Sequence, residues 1–247
     1  MSDSTTTALA ALPGAEATAA WSFLVERHGP DVWRVVRSLH RHHQEAEDAY
    51  QDAWLHLRSA AASFRPGPGG EAAARAWVLR VACTRTLDGL RRMKVRRHAE
   101  LLPEAEPAAP PPSEPVDPAV RERLHAALER LPDQLREAVL LHVVGGVTYE
   151  DLAVQLRTTV NNLRVRVHRA LARLREDARL PEGEGSAYGG SALGLLLVPP
   201  GPPPVAPAFS SLPAGQFAAG AAGTTTSSTT VVAIAVAAGA GLAMHAP

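Results

Sequence analysis

Two sets of side chains in this chain have types and spacings suited to recognition chemistry, and they carry opposite charge. The first is basic. Residues 157–175 contain six arginines and no carboxylate. In VNNLRVRVHRALARLRE, the outer positions Asn161, Asn162, Arg164, Arg166, Arg169 and Arg173 lie away from an apolar stripe of Val160, Leu163, Val167, Leu171 and Leu174. A guanidinium pairs two-pronged with a guanine edge, a carboxamide does the same with adenine, and further arginines neutralise phosphates. A merely solvated helix face normally mixes signs, so the pattern points to DNA. The second set is acidic. In EAEDAYQDAWLHL, Glu47, Asp48, Gln51 and Asp52 share one side of a helix wheel, opposite Ala46, Ala49, Tyr50, Ala53, Trp54 and Leu57. Asp48 and Asp52 stand four apart, a like-charge pair that costs an isolated helix roughly 0.3 kcal/mol. A solvated face tolerates that cost; a basic partner removes it.

The elements that must hold these residues read as helices throughout, since no segment alternates with period two for long enough to form a sheet. Before the basic helix, Leu135, Val139, Leu140 and Val143 make a stripe that ends at Gly145-Gly146. Thr148 then caps a short helix, with Asp151 three residues on, and Leu152, Ala153 and Leu156 face inward. Short helix, turn at residues 157–159 and longer helix make a helix-turn-helix, with small Ala153 permitting a close crossing. Upstream, residues 21–97 are helical apart from the loop FRPGPGGEA at residues 64–72. The expected fold class is all-α: two small helical domains, residues 18–98 and 118–179, joined by a Pro-rich acidic linker at 99–117. That linker would reach roughly 60 Å in polyproline geometry. Residues 1–17 read as a disordered leader and 180–247 as a low-complexity tail that has no charged side chain after Glu184. The tail's apolar run of about 14 residues is shorter than a bilayer span, so membrane contact through it is not expected.

Composition excludes other classes. The net charge is zero, but residues 21–98 hold fourteen basic against eight acidic groups, and local charge is what nucleic acid feels. Cys83 is the single cysteine, so neither an internal disulfide nor a cysteine zinc site can form. Among apolar helix neighbours it reads as a buried structural thiol. The N-terminus lacks the basic and apolar regions of a signal peptide, and the expected location is cytoplasmic. His40, His42 and His43 read as solvent-facing and lack companions at ligand spacing, so no metal is expected. No nucleophile–base pair or phosphate loop occurs; neither an enzyme nor a cofactor is indicated.

The segment YEDLAVQLRTTVNNLRVRVHRALARLRE resembles region 4 of the extracytoplasmic-function (ECF) sigma factors, the small two-domain group of the sigma-70 family. LVERHGPDVWRVVRSL, EAEDAYQDAWLHL and ARAWVLRVACTRTLDGLRRMKVRR resemble region 2 of that family, in the family's order. The resemblance implies a sigma factor that binds core RNA polymerase at its clamp and flap and recognises and melts promoter DNA. Glu47, Asp48, Gln51 and Asp52 would meet the clamp. Arg65, Trp77, Arg80, Arg85, Arg91, Arg92, Lys94, Arg96 and Arg97 would face the minus-ten element, with core packing the favoured role for Trp77. Thr159, Asn161, Asn162, Arg164, Arg166, Arg169 and Arg173 would face the minus-thirty-five element. An anti-sigma partner is a further possibility. Arg157 stands where the family's turn usually has glycine, which would cost roughly 1 kcal/mol in a left-handed conformation. Thr158 replaces an apolar residue there, and Cys83 and Thr84 depart from the pattern of the minus-ten helix. The competing reading is a stand-alone helix-turn-helix regulator whose first module dimerises or senses.

Overall fold

The computed structural model describes residues 4–12, 17–66, 69–100, 118–178 and 203–206. Of the linker expected at 99–117, residues 99 and 100 instead end the helix that runs to Glu100, and the remainder, like most of the tail, lies outside the described residues. The described part is helical, with no strand among the described residues. The order is α1 (Thr5–Ala11), α2 (Ala17–Arg37), α3 (His43–Ala60), α4 (Gly70–Glu100), α5 (Pro118–Arg130), α6 (Asp133–Val139), α7 (Tyr149–Gln155) and α8 (Val160–Asp177).

Helices α2, α3 and α4 form the first module. Trp21, Trp33, Tyr50 and Trp54 meet edge to face, with ring centroids 5.4 Å apart for Trp21–Trp54, 5.7 Å for Trp33–Tyr50 and 6.1 Å for Tyr50–Trp54. Such pairs each add roughly 1 kcal/mol beyond their buried area. The fourth tryptophan, Trp77, lies half-buried against Phe64 at 5.2 Å. Its core role is therefore the one the packing supports. A second break in the helical run, beside the Pro-Gly loop, falls at residues 38–42.

The leader is not irregular where it is described. Ser4 caps α1 by accepting from the Thr7 amide at 3.2 Å. Thr5, Ala8, Leu9 and Leu12 are buried, and the spacing of three, one and three is a helical face. The Thr5 amide donates to Glu71 Oε2 at 2.7 Å, and its hydroxyl bonds both Glu71 Oε1 and His28 Nε2. These contacts tie α1 to α2 and to the start of α4.

The second module contains a π-turn. Leu140–Val144 continues α6 with the Gly145 amide donating to the Leu140 carbonyl at 2.8 Å. The extra residue rotates the buried stripe, so Leu141 and Val144 join Val139 and Leu140 inside while Leu135 and Val143 are half-buried. A Cβ on Gly145 would stand 2.8 Å from the Leu141 carbonyl oxygen, and Gly146 has φ +64. Glycine is required at both.

The two modules are packed together, not held apart. Their apolar side chains form one continuous cluster. Arg75 donates to the Gly145 carbonyl at 2.6 Å, and Gln155 donates to the Ala73 carbonyl at 3.3 Å. Arg41 bridges Glu122 at 2.6 Å and Glu129 at 3.2 Å. His40, expected in solvent, is buried at this junction, with neither ring nitrogen in a hydrogen bond. His43 is exposed, 3.2 Å from Glu47.

Candidate nucleic-acid interface

The helix-turn-helix is built from local chemistry. Thr148 accepts from the Asp151 amide at 3.2 Å while its hydroxyl donates to the Asp151 carboxylate at 2.7 Å. At the other end of α7, the Thr158 amide donates to the Ala153 carbonyl at 3.0 Å and the Arg157 amide to the Val154 carbonyl at 3.4 Å. This pair of bonds is a Schellman motif, whose left-handed position is usually glycine. Here Arg157 occupies it at φ +48. The turn keeps its form and the arginine carries the strain. Thr159 then caps α8 by accepting from the Asn162 amide at 3.2 Å.

Leu163, Val167, Ala170 and Leu174 bury one side of α8. Asn161, Asn162, Arg164, Arg169 and Arg173 are exposed, as expected. Arg164 lies over the Tyr149 ring at 5.7 Å, a cation–π contact that aims the guanidinium. Thr159 and Asn162 also serve the cap, since Asn162 Nδ2 donates to the Thr158 hydroxyl at 3.3 Å. Arg166 departs from the expectation: it is half-buried on the flank, near enough to Glu137 to favour its ionised form. Burial is the larger influence and raises the Glu137 pKa.

The basic residues of α4 fare differently. Arg85 makes a two-pronged bond to Asp52, at 2.7 Å to Oδ2 and 2.9 Å to Oδ1, which raises its pKa. Arg80 donates to the Gln155 carbonyl at the end of α7. Arg91 bridges Asp88 at 2.7 Å and Asp133 at 2.8 Å. Arg65 is exposed but donates to the carbonyls of Ala62 at 2.8 Å and Phe64 at 2.9 Å. Arg92, Lys94 and Arg96 are exposed; the Arg97 side chain lies outside the described residues. The sequence reading missed Arg75, which holds Asp31 Oδ2 through two nitrogens at 2.9 and 2.7 Å while reaching Gly145. Its only signal was a basic residue five positions before Arg80 on the same helix.

On α3, Ala46, Tyr50, Ala53, Trp54 and Leu57 are buried, leaving the acidic side outward. Asp48 is exposed, and Glu47, Gln51 and Asp52 are half-exposed. Gln51 Nε2 donates to the Val205 carbonyl of the tail. Cys83 is buried, and burial pushes its thiol pKa up, so it is inert as a nucleophile. Among the described residues no cluster of His, Cys, Asp or Glu is arranged to hold a metal, and no helix is long and apolar enough to cross a membrane.

Two family models match this chain: sigma-70 region 2 over residues 24–96 and sigma-70 region 4 over residues 121–174. ECF RNA polymerase sigma factor SigM of Mycobacterium tuberculosis is 34% identical over 155 residues, covering 63% of this chain and 75% of the relative. ECF RNA polymerase sigma factor SigE of Mycolicibacterium smegmatis is 30% identical over 161 residues, covering 63% of this chain and 60% of the relative, somewhat under two thirds of its length. Among solved structures, the sigma factor RpoE in complex with the anti-sigma factor NepR from Bartonella quintana is 24% identical with a TM-score of 0.48, covering 64% of this chain and 96% of that one.

Proposed function

This chain belongs to the ECF RNA polymerase sigma factors of the sigma-70 family, and from that premise we propose that it is an initiation factor that directs core RNA polymerase to promoters. The exposed side of α3, around Glu47, Asp48, Gln51 and Asp52, takes the basic surface of the polymerase clamp. The exposed basic residues Arg92, Lys94 and Arg96 meet phosphates beside the minus-ten element, where Arg80, Arg85 and Arg91 join them once released from their internal partners. Helix α8 enters the major groove at the minus-thirty-five element with Asn161, Arg164, Arg169 and Arg173 outward. The observation that carries this reading is α8 itself: a capped helix-turn-helix presents an exposed arginine and asparagine face with no acid between residues 157 and 175. Base contacts by such side chains and phosphate neutralisation are the two parts of promoter recognition. The competing stand-alone regulator leaves the region 2 match and the acidic side of α3 without a role.

The packed arrangement constrains the order of events. Arg80 and Arg91 are held by the second module, so promoter engagement by both helices requires the modules to part. Core enzyme is the agent with two separated sites to part them. An anti-sigma partner that kept the modules together would block that step.

In vitro transcription tests the proposal. Purified chain plus core enzyme, run on a genomic fragment library, yields transcripts whose start sites share a pair of upstream elements. Tight, site-specific DNA binding without polymerase, together with no association with core, would overturn it.

A further inference from the structure

The only described part of the tail, residues 203–206, returns to α3. The Val205 carbonyl accepts from Gln51 Nε2, and Ala206 packs on the edge of the apolar cluster. Pro203, Pro204 and Ala206 are half-buried while the Val205 side chain points outward. Gln51 sits one turn from Glu47, beside Asp48 and Asp52, so the contact falls on the acidic side of α3. We propose that residues 203–206 form an internal cover for the polymerase-facing side of α3, displaced when core enzyme binds. The inference rests on the reading of that side as the clamp-binding surface.

The chemistry of the match is specific. On this side of α3, a carboxylate accepts hydrogen bonds, and Gln51 supplies the donor. The match is a single bond, from Gln51 to the Val205 carbonyl; Pro203 and Pro204 have no N–H, so they offer the carboxylates no hydrogen bond. The tail after Glu184 carries no Lys, Arg, Asp or Glu. It can therefore lie beside carboxylates without repulsion, yet makes no ion pair with them. A basic partner makes those ion pairs and outcompetes it, which is the hierarchy a displaceable cover needs. Asp52 is already held by Arg85 and Glu47 faces His43, so Gln51 and Asp48 are where a light cover acts. Twenty-four residues separate Ala178 from Pro203, a length that reaches roughly 80 Å when extended. Covalent connection turns a weak contact into one with an effective concentration on the order of millimolar.

A competition titration with labelled core enzyme tests the cover. The intact chain is compared with Ala206→Asp, which places a carboxylate where Ala206 packs beside the acidic side of α3, and with a chain ending at Glu184. Apparent affinity falls by the fraction of chains left uncovered, and a cover closed about four-fifths of the time predicts about fivefold tighter core binding by both variants. Equal affinity of all three forms overturns the cover while leaving the clamp reading intact. Tighter binding by the truncated chain alone overturns the assignment to residues 203–206. Absence of core binding by any form overturns the clamp reading and the cover with it.

Discussion

Along α4, Arg75, Arg80, Arg85 and Arg91 each end on a carboxylate or carbonyl of the same chain. Along α8, Arg164, Arg169 and Arg173 face outward, and the nearest described partner of Arg164 is an aromatic ring. The two helices share a residue type and a proposed partner, yet differ in what the folded chain does with the charge. The cause lies in their neighbours. Helix α4 runs against α3 and the second module, which offer Asp52, Asp133 and the open carbonyls at the ends of α6 and α7. Helix α8 has its acid-free side away from the rest of the protein. Basic composition therefore measures potential for nucleic acid, and the packing decides which helix is ready first.

The largest way to stress this comparison is acid, because burial lowers the pKa of a histidine in each module. Burial lowers His28 to about 4 against Glu71 and Asp31, which oppose the shift, and Arg75 and Arg27, which assist it. Burial lowers His125 to about 3, assisted by Arg37, Arg41, Arg121 and His40. Both folded values lie below the ordinary 6.5, so the unfolded chain takes up protons first and stability falls as pH drops below 6.5. The loss continues until about 4 for His28 and about 3 for His125. At pH 5 each site removes about 2 kcal/mol. Urea titrations at pH 7 and pH 5 check this, and replacing His28 or His125 by Gln should flatten the respective share of the slope.

Next in size is the DNA itself. Arg169→Ala with Arg173→Ala should weaken binding to a minus-thirty-five duplex by about 2–3 kcal/mol and lower the salt slope by roughly 2. The same assay on Arg80→Ala should change little, since α4 is occupied in the free chain. An equal loss from both changes would erase the contrast between the helices. Third, Arg75→Ala removes the paired bond to Asp31 and the bond to Gly145, and should lower stability by about 2 kcal/mol; hydrogen exchange should rise around Gly145 more than around α8. The smallest effect is a gain. Arg157→Gly relieves the left-handed strain and should stabilise the second module by about 1 kcal/mol, raising its melting temperature by a few degrees.

Much of this architecture was legible in the residues. The α8 stripe, the Thr148 cap and the acidic side of α3 follow from helical period and cap chemistry alone, and those signals are local. Arg157 in the left-handed turn was readable through the family resemblance, since it stands where the family's turn usually has glycine. The misses have a common origin. The π-turn at Leu140–Val144 shifts the stripe by one residue through hydrogen bonding that no period reveals. Helix α1 is seven residues long, too short to assert itself without α2 and Glu71 to pack on. The internal partners of Arg80, Arg85 and Arg91, the burial of His40 and the flank position of Arg166 depend on which surfaces meet within and between the modules. Sequence spacing does not encode that meeting.

The aromatic cluster has an optical consequence. All four tryptophans of the chain, Trp21, Trp33, Trp54 and Trp77, lie in the first module. Tryptophan emission, excited selectively, is therefore a reporter of that module alone, whereas far-ultraviolet ellipticity sums the helices of both. A chain whose emission and ellipticity melt together unfolds as one cooperative body. One whose ellipticity fades first has released its second module while the first still glows as native.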